Sequence, residues 1–193
     1  MLNHLRPAVV LLAAFTLLLG VAYPLALTGV AGALLPGPAG GSLVMRDGRV
    51  VGSALVGQSF ARADYFQPRP SATSAPDPQD PAKTVDAPYN AANSAGSNLG
   101  PLSQKLIDRV KTAMADAKNV PADAVTTSAS GLDPHITPQN AYGQAARVAQ
   151  ARGLDEARVR ALVDGAVERP AFGVVGEPRV NVLMLNLALD ELR

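Results

Sequence analysis

The chain of 193 residues has no cysteine and no tryptophan, and only four tyrosines and four phenylalanines. Without cysteine there is no disulfide, no thiolate nucleophile, no iron–sulfur cluster and no cysteine-ligated zinc. So few aromatic rings leave no stacking platform for bases or sugars. Charge is missing from one long stretch. No Asp, Glu, Lys or Arg lies between Pro7 and Leu43, Arg6 is the only Lys or Arg before Arg46, and no acid precedes Asp47. Beyond it, 16 basic and 16 acidic residues cancel. A balanced domain lacks the clustered basic face that binding to a phosphate backbone requires.

What fills the uncharged stretch is apolar. Residues 8–35 are interrupted only by Thr16, Tyr23, Pro24, Thr28 and several glycines. A membrane-spanning helix needs about 20 such residues. The rival reading is a cleaved signal peptide, with Arg6 as its basic end and Ala31-Gly32-Ala33 as a small-x-small cleavage site. The apolar core of a signal peptide is roughly 7–15 residues, shorter than this run, so a retained anchor is predicted. His4, Arg6 and the terminal amine sit on the short side. The positive-inside tendency keeps that side cytoplasmic and puts the rest of the chain outside. Pro24 lacks an N–H and would free the Gly20 carbonyl, which predicts a kink. Ala22, Ala26, Gly29 and Ala33 form a small-residue stripe at helical spacing, along which another helix can approach closely.

The sequence predicts a tail and transmembrane helix over 1–35, a linker over 36–41 (PGPAGG), and one soluble domain over 42–193. Asp47-Gly48 between two β-rich runs is a hairpin signal, because both central positions of its turn need positive φ. Residues 68–88 hold six prolines among Ser, Asp and Thr and read as a long surface loop with too little apolar surface to order itself. Pro101 is placed at the first position of a helix whose face carries Leu102, Leu106, Ile107, Val110 and Met114. Residues 125–129 read as a short strand. Thr137-Pro138 begins a second helix that stops at Gly153. Asp155 caps a third, with Val159, Leu162, Val163 and Val167 inward. Asn181 caps either a final helix over 182–192 or a buried strand. Without βαβ alternation or internal repeats, the fold class is α+β: one N-terminal transmembrane helix followed by a single soluble mixed α/β domain.

Motifs for chemistry are sparse. There is no Gly-x-x-x-x-Gly-Lys-Ser/Thr P-loop, no Asp-Lys-Thr-Gly phosphorylation site and no Gly-x-Ser-x-Gly elbow. His135 lies in a Gly131-Leu132-Asp133-Pro134-His135 turn, and Asp133 alone supplies too few further ligands for a metal. The turn chemistry favours a structural role, with an extracytoplasmic enzyme using His135 and Asp133 as the alternative. The loop 94–101 (SAGSNLGP) is glycine- and serine-rich and opens toward a helix, where backbone N–H groups can cradle an anion.

Taken in order, several segments are more specific than any alone. They are 51–60 (VGSALVGQSF), 65–72 (YFQPRPSA), 97–101 (SNLGP), 128–136 (SASGLDPHI), 147–149 (RVA), 176–183 (GEPRVNVL) and 186–190 (NLALD). Following one N-terminal span, they closely resemble the C subunit family of the bacterial Kdp potassium-transporting P-type ATPases, over nearly the whole chain. The resemblance implies a non-catalytic accessory subunit of an inner-membrane complex for high-affinity potassium uptake. Its partners would be a channel-like potassium-binding subunit, a catalytic P-type subunit and a small fourth subunit, with lipid around the helix and no nucleic acid. It implies a role in assembly and in raising the ATP affinity of the catalytic subunit, with no tightly bound cofactor or metal in this chain.

The resemblance also implies a weak nucleotide site at Ser94, Gly96, Ser97 and Asn98, since the family carries Ser-Gly-Gly-Ser-Asn there. Ala95 replaces the first of those glycines. A domain outside the cytoplasm cannot touch ATP, so any effect on its affinity would pass through the partners. Partner contacts are expected from the stripe at Ala22, Ala26, Gly29 and Ala33. In the domain they are expected from Gln58, Tyr65, Arg69, Asp133, His135, Glu177 and Arg179.

Overall fold

The computed structural model describes residues 2–114 and 120–192. Met1 and Arg193, the ends of the predicted tail and domain, lie outside the described residues. The chain divides into two compact units, Met1–Val51 and Gly52–Arg193.

The first unit begins with helix α1 (Leu2–Leu17), a π-helical turn (Leu18–Ala22) and helix α2 (Tyr23–Leu34). Together they give an apolar helix, Asn3–Leu34, of 32 residues and mean hydropathy 2.3. At 1.5 Å per residue this exceeds the roughly 30 Å of bilayer hydrocarbon. Where a kink is predicted from Pro24, the helix carries a widened turn. The Tyr23 N–H donates to the Leu18 carbonyl, five residues back, immediately before the proline. Such π turns absorb a local break in the α-helical ladder. After α3 (Pro36–Ala39), a single turn in the predicted linker, come strands β1 (Leu43–Arg46) and β2 (Arg49–Ser53). Asp47 and Gly48 join them at φ +51° and +75°, the pair of left-handed conformations expected of this turn.

The second unit contains β3 (Ser74–Pro76), β4 (Thr84–Asp86), α4 (Gln104–Ala113), α5 (Ala122–Val125) and β5 (His135–Ile136). It continues with α6 (Pro138–Arg152), α7 (Glu156–Ala166), β6 (Val167–Glu168), β7 (Arg179–Asn181) and α8 (Val182–Glu191). A small antiparallel sheet runs β5-β7-β6, pairing Ile136 with Val180 and Val180 with Val167. Helices α6, α7 and α8 pack around it. Ala141, Ala145, Val148 and Ala149 line α6, Val159 and Val163 line α7, and Leu185 and Leu189 line α8, all buried with Phe66 and Ile136. Each large side chain so buried contributes about 1.5–3 kcal/mol.

The helix boundaries follow their predicted chemistry. The side chains of Thr137, Asp155 and Asn181 accept from the N–H groups of Asn140, Ala157 and Met184, and α6 stops at Gly153 with φ +65°. The cap at Asn181 makes 182–191 a helix and removes the strand alternative.

Other expectations need correction. Residues 125–129 form no strand: α5 ends at Val125, and the stretch beyond it is irregular. The proline-rich segment 68–88 is not a bare surface loop. It contains the β3–β4 hairpin, held by buried Thr73, whose hydroxyl donates to the Ala87 carbonyl at 2.6 Å. Pro101 does not start α4; Ser103 takes the extended N-cap conformation and the helix begins at Gln104. Leu102 therefore precedes the helix and is 93% exposed, and no residue of α4 is buried. Val167 lies in β6 rather than in α7, still packed against the core.

Candidate functional site

Five residues singled out from sequence meet at one place. Arg69, Asp133, His135, Glu177 and Arg179 line an open cleft of about 270 Å³, together with Asp123 and Thr137. The fold assembles it from three sources. Arg69 comes from the proline-rich segment, Asp133 and His135 from the turn and first residue of β5, and Glu177 and Arg179 from the approach to and start of β7, which leads into α8.

At its centre Arg69 Nη1 donates to Asp133 Oδ2 at 3.0 Å, and Nη2 donates to the Thr127 carbonyl at 3.4 Å. Arg69 Nε is buried without an acceptor among the described residues. The other Asp133 oxygen accepts the His135 backbone N–H at 2.9 Å, and His135 Nδ1 stands 3.5 Å from it. Burial acts to raise the Asp133 carboxyl, but hydrogen bonds from His135 and the charge of Arg69 outweigh it, so the net shift is downward. Tyr89 fixes the arginine from behind by donating its hydroxyl to the Arg69 carbonyl at 2.6 Å. Burial, and then the nearby charge of Asp133, push the Tyr89 phenol well above its ordinary range. Close packing completes the junction. A Cβ on Gly57 would lie 2.6 Å from the Asp133 carbonyl oxygen and 2.6 Å from the Tyr89 ring. Gly131, at φ +69°, has no room for one either.

Sequence reasoning missed Asp123. This buried carboxylate accepts from the Thr137 N–H (2.7 Å), the Thr137 hydroxyl (3.0 Å) and Asn140 Nδ2 (3.1 Å), and so anchors the start of α6 at the cleft wall. No local pattern marks it, since Asp123 lies 14 positions ahead of Thr137.

The remaining predicted residues lie elsewhere. Tyr65 donates to Asp190 at 3.1 Å under the guanidinium of Arg152, which sits 4.7 Å from its ring, tying the 60–66 segment to α8. Gln58 packs against Gly52, where a Cβ would come within 2.8 Å of its Oε1. Ala22, Ala26, Gly29 and Ala33 are exposed along the apolar helix.

The loop holding Ser94, Gly96, Ser97 and Asn98 lies against 127–130 and ends before α4, not at its N-terminus. The Ser94 hydroxyl and the Ala95 N–H both donate to the Ser130 carbonyl, and Thr127 donates to Ser97 Oγ at 3.0 Å. Gly96 packs so closely that a Cβ would stand 2.6 Å from the Ala129 carbonyl oxygen.

The cleft's groups hold backbone in place. An aspartate kept ionised by an arginine and a backbone N–H is a poor proton acceptor, and the catalytic reading of His135 and Asp133 finds no support in this geometry. Among the described residues no group of three or more His, Asp or Glu side chains is placed to hold a metal ion. A single long apolar helix precedes a compact α+β unit whose polar cluster joins loops. Comparison with known proteins gives its family. Residues 5–191 match the family model of the K+-transporting ATPase, c chain, KdpC. A potassium-transporting ATPase KdpC subunit of Methylorubrum populi is 63% identical, covering 100% of this chain and 98% of the relative. One of Methylobacterium nodulans is 61% identical at the same coverage. The chain belongs to the KdpC family: it is a membrane-associated subunit of a potassium-transporting ATPase rather than a stand-alone enzyme.

Proposed function

We propose that this chain clamps the potassium-transporting complex together in the bacterial inner membrane, with its α+β unit on the extracytoplasmic side. The apolar helix packs on a neighbouring helix through Ala22, Ala26, Gly29 and Ala33, where no larger side chain intervenes. The folded unit docks on the channel-like potassium-binding subunit through the face that carries the Arg69–Asp133–His135 cleft. ATP stays with the catalytic subunit. Any rise in its affinity for ATP reaches it as a coupling free energy through the assembled partners, typically about 1–3 kcal/mol.

The observation that carries this reading is the convergence of Arg69, Asp133, His135, Glu177 and Arg179 on one open cleft. Three of them hold the loops in register, while the mouth stays accessible to a docking surface. Deletion of the chain tests it, with recovery of the other subunits as one complex and potassium uptake as readouts. Loss of both is expected; intact assembly and uptake would refute the clamp. Orientation is tested separately with a cysteine at Ala82, an exposed residue between β3 and β4 in a chain with no other cysteine. A membrane-impermeant maleimide is expected to label it in intact cells. Labelling only after lysis would place the unit in the cytoplasm.

A further inference from the structure

Between strands β6 and β7 the chain forms a finger. Residues 170–176 (PAFGVVG) carry no charged side chain and no side-chain hydrogen-bonding group. Their large side chains stand in solvent, with Phe172 98%, Val174 82% and Val175 63% exposed. The tip is nevertheless fixed by its backbone. The Ala171 N–H donates to the Val175 carbonyl (2.9 Å), the Val175 N–H returns to Ala171 (3.0 Å), and the Gly173 N–H donates to Pro170 (3.0 Å). Phe172 sits at φ +54°. A bulky residue in the left-handed region is an outlier, and glycine would adopt it without strain. The chain thus holds a strained backbone, closed by these hydrogen bonds, and presents a fully exposed ring.

We propose that this finger is a plug for an apolar socket on the channel-like potassium-binding subunit, and that the socket has a polar rim of mixed charge. The proposal rests on the docking role given above and names the element that docks. An aromatic ring flanked by aliphatic groups and ringed by polar residues has the composition of an interface hot spot. The rim is already present: Glu168 pairs with Arg179 at 2.9 Å, and Arg169 and Glu177 are exposed beside them. Two cations and two anions give no net attraction to anionic headgroups, so a lipid surface is disfavoured. A lipid surface also gains nothing from a fixed shape, whereas a shaped socket rewards a plug ordered before binding.

The test uses the assembled complex in its membrane. Benzoylphenylalanine is placed at position 172 and, as a control, at position 82. Irradiation is expected to join position 172, but not 82, to the channel-like subunit. Adducts to lipid alone, to a second copy of this chain or to a different subunit, or no adduct above the control, would overturn the proposal. Phe172→Gly supplies the second readout. It relieves the strained φ, so the melting temperature of the full chain in detergent should hold or rise while recovery of the other subunits falls at least tenfold. Full recovery with Phe172→Gly, when deletion of the whole chain still abolishes assembly, would sink the plug and leave the clamp. Assembly without the chain would sink the clamp itself.

Discussion

Asn186 and Phe66 hold each other through both halves of an amide. The Phe66 N–H donates to Asn186 Oδ1 at 2.9 Å, and Asn186 Nδ2 donates to the Phe66 carbonyl at 3.0 Å. Both residues are buried in the core. The pair joins the segment that leads to Arg69 to the helix that follows Arg179, so it sets the spacing of two walls of the cleft. Asn186→Leu keeps the branching of the side chain but leaves the buried Phe66 N–H and carbonyl without partners. Each such group costs about 1–3 kcal/mol. Denaturant unfolding of the full chain in detergent should show a loss of about 2–6 kcal/mol. A loss below 1 kcal/mol would mean that these groups find other partners.

The glycines at the cleft are set by contact rather than by flexibility. Gly57→Ala forces a methyl against the Asp133 carbonyl and the Tyr89 ring, and overpacking of this kind costs about 1–3 kcal/mol. Gly131→Ala should be worse, because a Cβ there would lie 2.6 Å from the Ala95 carbonyl oxygen and the residue is also at φ +69°. Gly100→Ala, whose Cβ meets nothing within 4 Å, is the matched control and should shift the melting temperature least. Equal shifts for all three would contradict the close-packed junction.

Asp133 makes a pH prediction. Its carboxyl is depressed in the folded chain, so the stabilisation is fully present above the ordinary carboxylate value of about 3.9. It is lost as pH falls through the lower folded value. Asp133→Asn can still accept the His135 N–H but cannot pair with Arg69 as an ion. Its stability should fall less steeply than that of the parent below pH 4, and the two curves should run parallel from pH 6 to 8. His135→Ala keeps the backbone donor and should leave potassium-stimulated ATP hydrolysis by the complex within a few-fold of the parent. A general acid–base group would cost about 10²–10⁴-fold.

The helices were legible where a cap and a stop bracketed them. Thr137, Asp155 and Asn181 each announce a helix through a side chain that needs only local geometry. What failed depended on distant partners. The segment 68–88 has little apolar surface, yet Thr73, Asn90 and Asn93 order it with hydrogen bonds to backbone that no local pattern encodes. Pro101 looked like a helix start, but the chain turns through Gly100–Ser103 before α4 begins. The cleft was legible as a set of residues and not as a place. Arg69 and Asp133 are 64 positions apart, and only the fold brings them to 3.0 Å. Asp123, outside every family-like segment, had no such flag.

The membrane stripe yields a prediction that separates folding from assembly. A Cβ on Gly29 would meet nothing within 4 Å in this chain, so Gly29→Leu costs the helix itself little. If a neighbouring helix packs on the stripe, the same change pushes the two backbones apart, because small residues are what permit close approach. Gly29→Leu and Ala26→Leu should each leave membrane insertion and expression unchanged while reducing co-purification of the other subunits severalfold. Ala31→Leu points to the far side of the helix and should be tolerated, since two residues along an α-helix is roughly half a turn. Loss of assembly with Ala31→Leu but not with Gly29→Leu would place the contact on the opposite face. Tolerance of all three would mean that the helix anchors the chain without packing on a partner.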